Sequence, residues 1–251
     1  MTNPAAPAAP VAVVTGAAQG IGAAVCDALL DAGWRVAALD LQEPMPGALT
    51  DLAARHEGRL SYHRADVADG PALMAALDEA TRALGPLVAG VANAGTWRDA
   101  RLQRMTDEAW DEVLRVDLTA AFLLTRALWP TMKEAGFGRL VYISSIAKDG
   151  NVGQANYAAA KAGLVGLGRT AAAEGGTLGV TANIICPGVI ETPAQADFRG
   201  RAPEAFEAFL SRVPMRRAGS PADVAAVVRF LCSRDAGYVT SQTIYVDGGL
   251  S

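Results

Sequence analysis

The sequence predicts an α/β fold: a parallel sheet covered by helices on both faces. Three observations carry that prediction. Short β-branched runs alternate with longer Ala/Leu-rich segments at helical spacing along the whole chain. The strand runs show no clean polar alternation, the pattern of strands buried on both faces. The first strand also runs directly into a glycine cluster that opens a helical segment.

Taken in order, residues 1–10, Met-Thr-Asn-Pro-Ala-Ala-Pro-Ala-Ala-Pro, read as a loose tail without the basic start and apolar run of a secretory leader. Strands are predicted over 11–15, 35–40, 60–64, 87–92, 139–144, 179–185 and 243–246. Helical stretches fall near 20–32, 46–56, 70–84, 106–134, 156–175 and 221–232. Two helix starts are marked by their chemistry. Ser220-Pro221-Ala222-Asp223 offers a capping serine, a proline at the first position and an acid at the third. Thr106 followed by Asp107 and Glu108 opens the long middle helix in the same way. Segment 191–215, with Pro193, Pro203 and Pro214, reads as a long irregular substrate loop around one short helix. No repeat, charge block or linker interrupts the interior, so 11–251 is expected to be one domain.

Composition excludes several function classes. A formal charge of −4, from 22 basic and 26 acidic residues, gives no electrostatic reason to expect nucleic acid as a partner. The most apolar stretch, 116–130, contains Asp117 and Arg126, so no membrane span is expected. Cys26, Cys186 and Cys232 lie far apart, which forms neither a disulfide framework nor a zinc spacing and suits a reducing, cytoplasmic compartment. With only His56 and His63, no metal site is expected.

The chemistry begins at Gly16-Ala17-Ala18-Gln19-Gly20-Ile21-Gly22, directly after the first strand. Gly16 permits a tight turn, Gly20 lets backbone approach a phosphate, and Gly22 allows close helix–strand packing. The free N–H groups and dipole of the new helix favour a pyrophosphate. The next strand ends at Asp40, followed by Leu41. An acid there accepts hydrogen bonds from the adenosine ribose hydroxyls and repels a 2′-phosphate. Gln19 supplies no positive charge where a phosphate-binding site would place one, so NAD(H) is expected in preference to NADP(H).

Tyr157 and Lys161 lie one helical turn apart, with Cβ atoms ~5–6 Å from each other. A phenol near pKa ~10 is a poor base at neutral pH, and lowering it by two or three units needs ~3–4 kcal/mol of differential stabilisation. A neighbouring ammonium has the sign to supply it.

With these motifs in order, the chain resembles a short-chain dehydrogenase/reductase of the group that includes the 3-oxoacyl-carrier-protein reductases. The resemblance runs from Val11 to Gly249. It rests on the glycine turn, Asp66-Val67, Asn93-Ala94-Gly95, Tyr157-x-x-x-Lys161, Pro187-Gly188-Val189-Ile190-Glu191-Thr192 and Val246-Asp247-Gly248-Gly249. It implies a Rossmann-type doubly wound sandwich with a seven-stranded parallel sheet, and a homotetramer packed through the helices near 106–134 and 156–175. It also implies an NAD(H)-dependent oxidoreductase that interconverts a secondary alcohol and a ketone. Asp66 and Val67 would lie near adenine, Asn93 to Gly95 along the cofactor, and Pro187, Gly188, Ile190 and Thr192 at the nicotinamide side. Tyr157 would exchange the hydroxyl proton, while Lys161 binds the nicotinamide ribose. A serine ending the fifth strand would bind the substrate oxygen. Ser144 and Ser145 compete for that role: the spacing back from Tyr157 lands on Ser144, and reading forward along the strand lands on Ser145. Strand geometry favours Ser145, because a loop absorbs a deletion more easily than a strand does.

Three departures from the family pattern matter. Ala92 precedes Asn93 where a second asparagine is commoner. Asp117 stands where a relay asparagine is usual. A carboxylate there would hold Lys161 charged, weaken its field at Tyr157 and move the catalytic ionisation upward; alternatively, it only ties the helix to neighbouring backbone. Finally, carrier-protein reductases place basic residues before the fifth strand and after the Tyr/Lys helix, whereas 134–138 and 174–179 contain no Lys or Arg. The expectation is therefore a free small ketone or alcohol. Trp97, Val152, Gln154, Ile190 and Phe198 would line an apolar or cyclic substrate's pocket. A 3-oxoacyl thioester on carrier protein or CoA is the alternative, and a catalytically silent NAD-binding subunit is the competing class.

Overall fold

The computed structural model describes residues 9–251, apart from the side chains of Ala194 and Phe198. Most of the expected tail, 1–8, lies outside the described residues. Seven strands form one all-parallel sheet: β1 (Val11–Thr15), β2 (Arg35–Asp40), β3 (Leu60–Arg64), β4 (Leu87–Ala92), β5 (Gly138–Ile143), β6 (Val180–Pro187) and β7 (Thr243–Val246). Their order is β3-β2-β1-β4-β5-β6-β7. The winding reverses at β1, which has β2 on one side and β4 on the other. Ligands of open α/β sheets bind outside the carboxyl ends of the strands at such a switch point.

The helices are α1 (Gly20–Asp31), α2 (Gly47–Arg55), α3 (Gly70–Leu84), α4 (Asp107–Leu114), α5 (Ala120–Ala135), α6 (Ala155–Gly175), α7 (Pro193–Arg201), α8 (Pro203–Leu210) and α9 (Pro221–Cys232). The pleat divides the strand side chains between two cores. Val11 and Val13 of β1 join Ala37 and Leu39 of β2 under α3, α5 and α6. The alternate residues Ala12, Val14, Val36 and Ala38 pack under α1, α2 and α9. Both strand faces are thus apolar, the physical reason their sequences do not alternate.

The cap signals are realised. Ser220 and Asp223 form a capping box at α9, and Thr106 Oγ1 accepts the Ala109 N–H at α4. The predicted helix 106–134 is α4 and α5 joined by a π-helical turn, Arg115–Thr119, with Asp117 buried at its centre. Such turns widen a helix locally and are frequent at functional sites.

Segment 191–215 differs from the expectation of an irregular loop around one short helix. It carries two helices, α7 and α8, separated by Ala202. Pro193 and Pro203 each open a helix, where the missing N–H is not needed and the fixed φ suits the first turn. Phe206 of α8 is buried against Val189 and Ala218, which anchors this segment to the end of β6. Among the described residues no helix is long and apolar enough to cross a membrane. Cys26, Cys186 and Cys232 are free and buried.

Candidate active site

The glycine turn leaves β1 at the switch point and is locked by backbone contact. Gly16 and Gly20 have φ of 62° and 56°, a region that disfavours side chains. A Cβ on Gly22 would lie 2.0 Å from the Gly16 carbonyl oxygen, and one on Gly16 would lie 2.8 Å from Ala94 Cα. Asn93 closes the turn from β4, donating from Nδ2 to the Thr15 and Gly16 carbonyls, 2.9 Å each. Thr15 Oγ1 accepts the N–H groups of both Asn93 and Ala94 at 3.1 Å. Gln19 caps α1 without a side-chain bond, so the first-turn N–H groups of α1 remain available to an anion. These features fit a dinucleotide pyrophosphate: a cradle too tight for Cβ atoms and an uncapped helix start.

Asp40, half-buried at the end of β2, is held against this turn. Its Oδ2 accepts Ala18 N–H at 2.9 Å, and its Oδ1 accepts Leu41 N–H at 2.8 Å and Gln42 N–H at 3.2 Å. Leu41 itself is exposed. After β3, Asp66 accepts Ala68 N–H at 2.9 Å and faces Arg115 at 3.5 Å, while Val67 is buried in the core.

On the far side of the crevice, α6 begins two residues before Tyr157 and carries Lys161 one turn later. The Lys161 ammonium lies 5.4 Å from the centroid of the Tyr157 ring. It donates to the Ile143 carbonyl at 3.1 Å and is ion-paired with Asp117 Oδ2 at 3.0 Å. Asp117 Oδ1 accepts Thr96 N–H at 2.7 Å. Burial pushes the Asp117 carboxyl above its ordinary range, against the pull of Lys161 and the Thr96 N–H. The Lys161 ammonium is desolvated too, yet the negative charge of Asp117, aided by Tyr157, holds its pKa above the ordinary value. Gly95 backs directly onto this pair, since a Cβ there would lie 2.8 Å from Asp117 Oδ2.

The two serines after β5 differ in environment. Ser144 is buried and donates to the Lys161 carbonyl at 2.8 Å. Ser145 is half-buried, and its Oγ accepts Ala147 N–H at 3.1 Å, which leaves the hydroxyl proton for another acceptor. Around the opening, Trp97 is 52% and Val152 75% exposed. Gln154 donates to Asp99 at 3.0 Å and accepts from Asn151 at 2.8 Å, while Ala100 N–H donates to the Gly153 carbonyl at 2.9 Å. Segments 97–100 and 151–154 are thereby tied together.

Of the residues after β6, Thr192 packs over the glycine turn, 3.3 Å from where a Gly20 Cβ would stand. Gly188 N–H donates to the Val246 carbonyl beside Pro187, and the Ile190 side chain is buried in the core under α9. The side chain of Phe198 lies outside the described residues.

Sequence reasoning gave no role to Thr15, Thr96 or Asn156. Thr15 precedes the first glycine and Asn156 precedes Tyr157, and only those adjacencies could have flagged them. The structure also brings Asp27, Asp31 and His56 together. Arg59 donates to His56 Nδ1 at 2.6 Å, which places the ring proton on Nε2, 3.2 Å from Asp31, and Arg55 holds Asp27 at 2.8 Å. Asp27 is thus ion-paired with Arg55, and the neutral His56 turns no lone pair toward the carboxylates.

Comparison with known proteins agrees with this geometry. The family described as enoyl-(acyl carrier protein) reductase matches residues 16–251. The acetoacetyl-CoA reductase of Rhizobium meliloti is 41% identical, covering 95% of this chain and 97% of the relative. The 3-oxoacyl-(acyl-carrier-protein) reductases FabG of Thermotoga maritima and Escherichia coli are 38% and 36% identical over 96% of this chain, covering 97% and 96% of those proteins. With its switch-point glycine turn, its Tyr157/Lys161 helix and this match along nearly its full length, the chain belongs to the short-chain dehydrogenase/reductase family.

Proposed function

We propose that the protein interconverts a 3-oxoacyl thioester and its 3-hydroxyacyl form, with CoA as the thioester carrier and NAD(H) as the preferred cofactor. The observation that carries the reading is the ion-paired, buried Lys161 held 5.4 Å from the Tyr157 ring across the crevice from an uncapped glycine turn. The substrate class is supported by the relatives, which are named for acetoacetyl-CoA and 3-oxoacyl-(acyl-carrier-protein). The relatives favour this class over the small apolar or cyclic ketone expected from the sequence. CoA is favoured over an acidic carrier by the absence of Lys and Arg from 134–138 and 174–179, where a carrier protein would be met. Asp40 and the uncharged Gln19 favour NAD(H), since a carboxylate at the ribose disfavours a 2′-phosphate.

A nicotinamide cofactor held by the glycine turn and Asp40 would supply hydride to, or accept it from, the substrate carbon. Tyr157 donates its hydroxyl proton to the carbonyl oxygen as negative charge builds there. Ser145 donates a second hydrogen bond to the same oxygen. Lys161, kept cationic by Asp117, stabilises the negative charge left on the Tyr157 oxygen. A homotetramer packed through α5 and α6 is supported by the exposed Phe122 of α5, and a cytoplasmic setting by the three free cysteines. The test is consumption of NADH, against NADPH, by the purified protein with acetoacetyl-CoA. Tyr157→Phe is expected to cut the rate by about 10³-fold. Failure of both cofactors, or an active Tyr157→Phe, overturns the proposal.

A further inference from the structure

Asn156 is fully buried, in the first turn of α6, immediately before Tyr157. Asparagine is a poor helix former, and a buried amide with unmet bonds costs about 1–3 kcal/mol, so its presence calls for a use. Every polar hydrogen and the carbonyl of its side chain are engaged. Oδ1 accepts Tyr157 N–H at 2.8 Å, a first-turn donor that the capping residue Gln154 leaves unserved. Nδ2 donates to the Arg98 carbonyl at 3.1 Å and the Ala109 carbonyl at 2.9 Å. One side chain thus joins the start of the Tyr157 helix to α4 and to the segment bearing Trp97.

That segment is held at its other end by Asp117, which accepts Thr96 N–H at 2.7 Å while pairing with Lys161. Trp97 projects between the two anchors with half its surface exposed. The Arg98 guanidinium adds an ion pair with Glu112 of α4 at 2.7 Å. We propose that Asn156 is a positioning residue which, with Asp117, clamps residues 96–98 at two points. Asn156 registers the Trp97 wall to Tyr157, and Asp117 registers it to Lys161. Two buried polar side chains therefore set where a substrate carbonyl stands relative to the proton donor. The inference rests on Tyr157 being that donor.

The test uses the full-length protein with NADH and 3-oxoacyl-CoA substrates of two chain lengths. Asn156→Ala is expected to lower kcat by at least about tenfold and to change the preference between the two chain lengths, with NADH affinity within about twofold of wild type. Asn156→Ser, whose hydroxyl can still accept Tyr157 N–H, is expected to recover part of kcat. Trp97→Ala is expected to raise KM for the thioester more than it lowers kcat, and to blunt the chain-length effect of Asn156→Ala when the two are combined. A kcat per folded molecule that is unchanged in Asn156→Ala, with only its melting temperature lowered, overturns the clamp. Should Asn156→Ala fail to fold, an unrecovered Asn156→Ser or a Trp97→Ala that leaves KM untouched overturns it equally. No turnover in the wild type would strike the assigned reaction itself, whereas wild-type turnover with an indifferent Asn156 strikes the clamp alone.

Discussion

The two walls of the crevice are built from different materials. After β1 and β4 the wall proposed for the cofactor is made of backbone: Gly16 and Gly22 sit so close to their neighbours that a Cβ on Gly22 would meet a carbonyl oxygen at 2.0 Å. After β5 the wall proposed for catalysis is made of buried polar side chains: Asp117 on Lys161, Ser144 on the Lys161 carbonyl, Asn156 on two carbonyls and one N–H. A backbone wall has no side chain to exchange, and an added Cβ at Gly16 or Gly22 is a collision. A side-chain wall can be retuned by changing single polar atoms while its shape is kept.

The largest effect expected from breaking this contrast is on the backbone side. Gly22→Ala forces α1 away from Gly16, costing about 3 kcal/mol. If the cradle is the cofactor's, NADH binding weakens by more than about 10²-fold, read by fluorescence titration, with a lowered melting temperature. Wild-type NADH affinity in this variant would mean that the turn is not the phosphate site.

On the proposed mechanism the serine pair divides one wall into a chemical and a structural part. Ser145→Ala is expected to reduce kcat by about 10²-fold at nearly unchanged stability. Ser144→Ala is expected to leave kcat per folded molecule within a few-fold and to cost about 1 kcal/mol of stability, because it removes the hydrogen bond to the Lys161 carbonyl. The reverse pattern in kinetics and urea unfolding would assign the substrate oxygen to Ser144.

The smallest change in shape is Asp117→Asn, which exchanges one oxygen for an NH2 group. Asp117 raises the Lys161 pKa, so wild-type Lys161 holds its proton to higher pH than it would alone. Removing the carboxylate favours the neutral lysine, and the alkaline limb of the pH–rate profile is expected to move to lower pH. At neutral pH the rate falls by about tenfold, because Thr96 N–H and Lys161 meet different oxygens of Asp117 and only one terminal atom of an amide accepts. An alkaline midpoint that stays in place would show that Asp117 ties the helix to backbone and does nothing for the charge on Lys161. The same sign applies to stability. The folded-state pKa of Lys161 lies above its unfolded value, so its contribution is complete below that unfolded value and is lost as pH rises through the folded one.

Most of the frame was legible because its signals are local. Val11–Thr15, Arg35–Asp40 and Leu87–Ala92 carry their apolar runs in adjacent residues, and Ser220 with Asp223 carries a cap within one turn. The proline-rich segment was misjudged for the opposite reason. Pro193 and Pro203 read as breakers unless the turn after each is known to be helical, and what holds α8 is Phe206 packing on Val189 and Ala218, which are distant in sequence. The site was legible in its motifs and opaque in its joints. Tyr157 and Lys161 announce themselves by spacing, whereas Asn156 is silent until the Arg98 and Ala109 carbonyls are seen to meet its amide.

By itself the sequence determined the alternation of strands and helices, the glycine turn, the Asp at the end of the second strand and the Tyr/Lys turn. Each is a relation between residues a few positions apart, and backbone sterics and helical periodicity act at that range. Tertiary structure alone decided that Asp117 meets Lys161 at 3.0 Å, that Ser144 spends its hydroxyl on a carbonyl, and that Thr96–Arg98 is held at both ends. Those outcomes depend on which groups share a desolvated space once the sheet has closed. A buried polar atom must find its partner among neighbours that chain order does not specify.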